Sequence, residues 1–345
     1  MCLAAYTTGG GDINFDVQVM QMYRRFANKM YQATKYVIGK INTVEGFVPA
    51  KTRTLQGKES LSELWILSKM NAASKTINEA LEEREFMKAA NAVYHYIYAN
   101  LCDVYIENSK GLIQDGTKEQ AESALQTLYS SLEAGLLLIH PFMPFVTEEL
   151  WQRLPRRPDD KTKSVMLAEY PVHQPELDQP AAEKAYELVL NSSSGIRSLM
   201  SENGLKEDAQ IFIQTYDAES HKIATEQVGS IKSLSGKGIG SITIVGSDEP
   251  RPAGCVAYPI GASAAVFLHI KGRVDLDEAI QSAAKKLERK KGDADKQRKL
   301  VNDPAYAEKV AVATQEADKQ KLRDMEGELK GFETTIEQLK QLKLE

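Results

Sequence analysis

HPFMPFVTEELWQRLP, residues 140–155, places two prolines three residues apart and then a run ending Glu-Glu-Leu-Trp. Pro141 cannot extend a helix that precedes it, because it has no amide proton and its ring clashes with the turn before. Pro144 suits the first turn of the next helix, whose positive end favours Glu148 and Glu149 nearby. Phe142, Met143, Phe145, Val146, Leu150, Trp151 and Leu154 supply an apolar corner. The stretch therefore predicts a buried elbow between two helices of a bundle.

Upstream of the elbow, helical periodicity is continuous. Asp16 can cap a helix with Val19, Met22, Tyr23, Phe26, Met30, Ala33 and Val37 on one face. Residues 46–58 form a loop. Ser60 or Ser62 opens a second helix to about residue 84, residues 85–109 form a third, and residues 117–139 a fourth. Tyr94, Tyr98 and Tyr105 recur at helical spacing, which places them in the core. Residues 17–160 are thus expected to be a helical bundle, preceded by a short junction over residues 1–16.

Beyond RRPDDKTK the pattern changes. SVMLA (164–168), AQIFIQT (209–215), SITIV (241–245) and AAVFLHI (264–270) are strand-like, with a helix from about residue 180 to 201. A small α/β domain is expected over residues 164–272. Within it, SGKGIGS (235–241) has the glycines of a phosphate loop but leads into a β pattern, so it is expected to be a tight turn between strands. Residues 273–345 return to heptad spacing. Leu276, Ile280, Ala283, Leu287, Lys290, Ala294, Gln297 and Val301 form one seam; Leu322, Met325, Leu329, Phe332, Ile336 and Leu339 form another. With a break at NDP, the segment is expected to be an antiparallel coiled-coil hairpin whose first arm reaches roughly 35–40 Å.

Composition narrows the class. The chain has 345 residues, 42% hydrophobic and 26% charged, with a net charge of −5. That is the balance of an ordinary globular protein, with room for two or three domains. The longest apolar run, residues 134–139, is too short to span a membrane, and the amino terminus has no secretory pattern. Cys2, Cys102 and Cys255 are far apart, so neither a disulfide framework nor a cysteine-based metal site is expected. The cytoplasm is the default compartment. No metal site, nucleophile–base pair or other catalytic constellation can be assembled.

Charge distribution is more informative than its sum. Residues 17–44 carry five basic side chains and no acid, and residues 285–299 carry eight basic side chains against three acids. Either stretch alone reads as a solvated helix face; two of them in an acidic chain favour a polyanionic partner.

Read together, these segments resemble the C-terminal part of the valyl-tRNA synthetase (valine–tRNA ligase) family, eukaryotic type, over nearly the whole chain. AAYTTGGGDINFDV (4–17) with YRRFANKMYQATKYV (23–37), residues 61–107, and the elbow are each similar to stretches of that family. The elbow is shared with the isoleucyl and leucyl enzymes. DINFD (12–16) and the C-terminal hairpin favour valine, although Gly11 stands where many members carry arginine.

The resemblance implies a mainly α fold: a helical bundle of the class I synthetase anticodon-binding type, a small α/β domain, and a coiled-coil arm. It implies tRNA(Val) as partner, with no membrane or DNA partner. In the bundle it implies tRNA contacts by Arg24, Arg25, Asn28, Lys29, Lys35 and Tyr36, although Tyr36 also fits the core. On the arm it implies phosphate contacts by Lys285, Lys286, Arg289, Lys290, Lys291, Lys296, Arg298 and Lys299, although Lys290 also fits the seam. The family's ATP-binding HIGH and KMSKS signatures are absent from the sequence; KMNAASK (69–75) only looks superficially like the latter. The chain is therefore expected to be a piece of a longer ligase, with no cofactor of its own, inactive alone and completed by a catalytic module that holds ATP. A mitochondrial form is the alternative to the cytoplasmic one. The alternative function is a non-catalytic RNA-binding or scaffolding protein derived from a synthetase tail.

Overall fold

The computed structural model describes residues 1–6, 16–250, 252–261, 263–272 and 276–302, together with scattered helical positions between 306 and 343. The side chains of residues 278, 279, 282 and 286 fall outside this description, as do most of the junction (7–15), Phe332 of the second seam, and NDP beyond Asn302. The chain divides into two compact units, Met1–Glu187 and Leu188–Glu345.

The first unit is helical. It comprises α1 (Val17–Ile41), α2 (Leu61–Glu82), α3 (Phe86–His95), a π-helical segment (Tyr96–Tyr105), α4 (Ile106–Asp115), α5 (Lys118–Ile139) and α6 (Pro144–Gln152). Caps set the boundaries. The Asp16 side chain accepts from the Gln18 amide, Ser60 and Glu63 form a capping box on α2, and Thr117 and Gln120 form another on α5. Helix α5 is the centre of the core. Every residue from Leu128 to Ile139 is buried, so this helix is surrounded on all sides. Gly135 permits that crowding: a Cβ there would lie 3.3 Å from Ile97 Cγ1 and 3.4 Å from Tyr96 Cε1. Glu133, also on α5, is a buried carboxylate held by Arg157 Nη2 at 2.7 Å and Arg53 Nε at 3.0 Å. It ties the 46–58 loop and the connector after α6 to the core.

The elbow forms, with one correction. Pro144 occupies the first turn of α6, and Thr147, Leu150, Trp151 and Leu154 are buried. Phe145, by contrast, is 90% exposed. At about 100° per residue it lies roughly 200° from Thr147, on the opposite face of α6 from the buried row. The expected strand at 164–168 is also absent. Residues Val165–Leu167 form a 3₁₀ turn, with the Ser164 hydroxyl and the Val165 amide donating to Glu148 of α6. A long helix, α7 (Pro180–Glu202), follows, and the division between the two units falls within it.

The second unit contains a four-stranded mixed sheet of order β2-β1-β4-β3. Strand β1 is Ala209–Thr215, β2 is Ile239–Val245, β3 is Cys255–Ile260 and β4 is Ala264–His269. β1 and β2 are parallel, joined through α8 (Ala218–Glu226) and α9 (Val228–Ser235), while β4 runs antiparallel to β1 and β3. Ile211, Ile213, Val266, Leu268 and Val256 are buried on one face; Phe267, Ala265 and Cys255 form an apolar cluster on the other. That two-sided burial explains why β4 reads as an unbroken apolar run. β3 was not among the sequence-expected strands, because Pro259 and Tyr258 interrupt its alternation. The SGKGIGS turn leads out of a helix, α9, and not out of a strand. Gly236 (φ 90°) and Gly238 (φ 92°) adopt backbone angles that side chains disfavour.

After the sheet, α10 spans Leu276–Val301. Lys343 donates to Asp277, Lys291 Nζ lies 3.2 Å from Glu333, Arg298 Nη2 lies 2.9 Å from Glu326, and Gln297 donates to Asp318 Oδ1 at 3.0 Å. Ala294, Gln297 and Leu339 are buried.

Candidate nucleic-acid interface

Helix α1 divides sharply into two faces. Tyr23, Phe26, Met30, Ala33, Val37 and Ile41 are buried, and the opposite side carries Arg24, Arg25, Asn28 and Lys35 exposed to solvent. Arg24, Asn28, Tyr31 and Lys35 follow the 4-3-4 spacing that keeps residues on one stripe of a helix. Tyr31, 45% exposed, stands among these groups and was not singled out from the sequence. Its spacing, three residues after Asn28 and four before Lys35, is the signal the sequence carries. α1 itself contributes no acidic residue to offset the positive charge of this stripe.

The structure separates two of the expected residues from this stripe. Lys29 Nζ donates to Asp103 Oδ1 and lies 3.4 Å from the centroid of the Tyr98 ring. Burial opposes its charge, but the hydrogen bond and charge of Asp103 outweigh that and raise the ammonium above the ordinary lysine value. Tyr36 is half-buried, with its hydroxyl beside Ser109, and burial raises its phenol above the ordinary tyrosine value. Lys40 and Lys110 lie 5.8 and 5.9 Å from its ring centroid. Tyr105 belongs to the core, as expected, but Tyr94 and Tyr98 are half-buried. They stack on each other with centroids 5.3 Å apart and rings within 16° of parallel.

On α10, Lys285, Arg289, Lys296 and Lys299 are exposed and share a stripe at 4-7-3 spacing. Lys291 and Arg298 are exposed too, but engage Glu333 and Glu326; Arg298 also meets Asp295 at 2.7 Å, and Lys296 lies 3.7 Å from Asp293. Lys290 is half-buried, in keeping with its ambiguous seam position, and Lys286 lies outside the described side chains. Among the described residues no group of histidines, cysteines and carboxylates is arranged to hold a metal ion. Nor is any described helix long and apolar enough to cross a membrane.

Most of the bundle, from α2 through α6, falls in a recognised class: the family described as the anticodon-binding domain of tRNA ligase matches residues 63–215. Comparison with individual relatives is more specific. The mitochondrial valine–tRNA ligase of Saccharomyces cerevisiae is 43% identical over 342 residues, covering 99% of this chain and 31% of the yeast protein. The valine–tRNA ligase of Schizosaccharomyces pombe is 47% identical over 232 residues, 67% of this chain and 23% of that protein. The enzyme of Mus musculus is 34% identical over 340 residues, 97% of this chain and 26% of that protein. The chain belongs to the valine–tRNA ligase family and corresponds to its C-terminal part. It spans about a third or less of the length of these relatives.

Proposed function

We propose that this chain is the tRNA-gripping portion of a valine–tRNA ligase, docking and orienting tRNA(Val) through the bundle and a basic arm. The observation that carries this reading is the acid-free face of α1, with Arg24, Arg25, Asn28 and Lys35 exposed on a helix whose other side is locked into the core. Cations on a fixed helix suit RNA phosphates, and exposed aromatic rings can stack on unpaired bases. Lys29 and Tyr36 contribute from the flank of that face. The arm is an antiparallel coiled-coil hairpin. Supporting this, the partners of Asp277, Lys291 and Arg298 run in reverse chain order. Lys285, Lys286, Arg289, Lys290, Lys291, Lys296, Arg298 and Lys299 are its phosphate-binding residues.

The parent reaction joins L-valine to tRNA(Val), converting ATP to AMP and pyrophosphate. In this reading the ATP site and the editing site lie in the remaining length of the ligase, so this chain binds tRNA without charging it and carries no cofactor. The cytoplasm is the proposed compartment, with a mitochondrial form as the alternative. The scaffold alternative is disfavoured by relatives that are themselves valine–tRNA ligases.

A filter-binding titration with tRNA(Val) and a non-cognate tRNA at two salt concentrations tests the proposal. Salt-steep binding that prefers tRNA(Val) is expected; absence of binding at low salt would refute it.

A further inference from the structure

The π-helical segment Tyr96–Tyr105 brings side chains five residues apart toward one face, where an α-helix would turn them away from each other. Its wide turn is documented at the carboxyl end, where the Ile106 amide donates to the Leu101 carbonyl five residues back. The segment is anchored on α5 at two points. The Tyr96 hydroxyl donates to Ser131 O at 2.9 Å, and the Tyr105 hydroxyl to Ala124 O at 3.3 Å. Gly135 of α5 lets the Tyr96 and Ile97 side chains approach closely. The geometry is thus fixed from the buried side, and its consequence appears on the outer side.

Tyr98 and Asp103 are five residues apart. On an α-helix that spacing turns side chains about 140° away from each other. With i→i+5 bonding, residues five apart lie nearly above one another. Tyr98 and Asp103 therefore face the same direction, and between them they hold the Lys29 ammonium of α1: ring on one side at 3.4 Å, carboxylate on the other. The ring is backed by its stack on Tyr94, and Tyr94 packs on Phe26 with centroids 4.7 Å apart. Lys29 retains 26% side-chain exposure and Asp103 51%, so the clamp opens to solvent. Beneath it Cys102 is closed off, its thiol pushed by burial up to about 12.

We propose that Asp103, aimed by the π-helical turn, is a positioning residue that fixes Lys29 as a directed donor to an RNA acceptor oxygen. An ammonium on a free four-carbon stem is a mobile point charge; clamped between ring and carboxylate it keeps at least one N–H in a set direction. This inference rests on the proposed tRNA-binding role of the α1 face.

The test exploits a sign. Asp103→Asn adds one unit of positive charge to the face, so an unordered electrostatic grip would bind tRNA more tightly. A positioning role gives the reverse. Filter binding of tRNA(Val) to the full chain should show about 5- to 10-fold weaker binding for Asp103→Asn, matching Lys29→Met. The double variant should be no weaker than Lys29→Met alone. Unchanged or tighter binding by a folded Asp103→Asn chain would overturn the proposal. Independently of RNA, the Lys29 ε-methylene protons of the unsubstituted chain should be shifted upfield by the Tyr98 ring in NMR spectra; unshifted protons would overturn it as well. If the unsubstituted chain bound no tRNA, the functional reading would fail, and the NMR result would still judge the clamp.

Discussion

Helices α1 and α10 both carry the basic residues that point to RNA, yet they present their charge in different ways. α1 has five basic residues over 17–44 and no acid, on a helix with seven buried residues. The 285–299 stretch of α10 is richer in cations, eight, but Glu288, Asp293 and Asp295 are interleaved with them, and Glu326 and Glu333 approach from elsewhere in the same unit. Only Ala294 and Gln297 are buried among its described side chains. A count of lysines and arginines therefore overstates the charge α10 can offer. Of the five cations of α1 one, Lys29, is engaged by Asp103, and the helix beneath them is locked into the core; α10 has several cations engaged in exposed ion pairs, which are individually weak.

The largest expected difference is in stability. Phe26 is 1% exposed, and Phe26→Ala should destabilise the first unit by about 3–5 kcal/mol, the usual loss for a buried phenylalanine. Both tryptophans, Trp65 and Trp151, lie in that unit, so urea unfolding followed by tryptophan fluorescence reads it directly. Leu287→Ala on α10, a half-buried position in the other unit, should leave that transition in place. Equal shifts from both substitutions would erase the contrast between the two helices.

Binding should follow the same order. Charge reversal at Arg24, Arg25 and Lys35 is expected to lower tRNA affinity by about 100-fold or more. It should also flatten the salt dependence by about two to three units of slope, in line with the loss of three phosphate contacts. Reversal at Lys285, Arg289 and Lys299 should cost less than about 10-fold and act alike on cognate and non-cognate tRNA, because phosphate contacts carry no sequence information. An arm variant with the larger loss would invert the comparison.

A smaller effect of opposite sign should come from the acids of α10. Replacing Asp293, Asp295 and Glu326 with their amides releases Lys296 and Arg298 from their partners. Affinity should rise about 2- to 5-fold at low salt and return to the unsubstituted value as screening increases. No change at low salt would mean that these cations do not face the RNA.

Much of this was legible in the sequence. The helix starts at Asp16, Ser60 and Thr117 are local chemistry, and the elbow follows from what proline forbids. What escaped is set by neighbours. Phe145 reads as core by composition, but its angular position on α6 leaves it 90% exposed. β3 is hidden because Pro259 and Tyr258 break its pattern, and its place is settled by register with β4. At the interface, the α1 stripe was readable as a charge run without acids, whereas the partner of Lys29 lies 74 residues away on a π-helix that no periodicity announces.

The smallest effect returns to the elbow and uses pH to separate the two units' helices. His140 Nδ1 lies 2.7 Å from Thr147 Oγ1, whose hydroxyl donates to Met143 O. The bond holds the imidazole against α6, and protonation adds a positive charge to the ring. Burial disfavours that charge and lowers the histidine below its ordinary value, with Glu148 opposing more weakly. The unfolded chain consequently binds the proton more readily than the folded one. Stability is then fully present above the ordinary histidine value of about 6.5 and declines as pH falls through it toward the lower folded value. Because the ring is only partly buried, the loss should be a few tenths of a kcal/mol. Urea midpoints read by tryptophan fluorescence should fall slightly between pH 7.5 and 5.5, and His140→Gln should remove that portion of the slope. α10 contains no histidine, so the grip of its cations on tRNA should not change over the same interval. A pH slope that survives His140→Gln unchanged would place the titrating group elsewhere and leave the elbow histidine as packing alone.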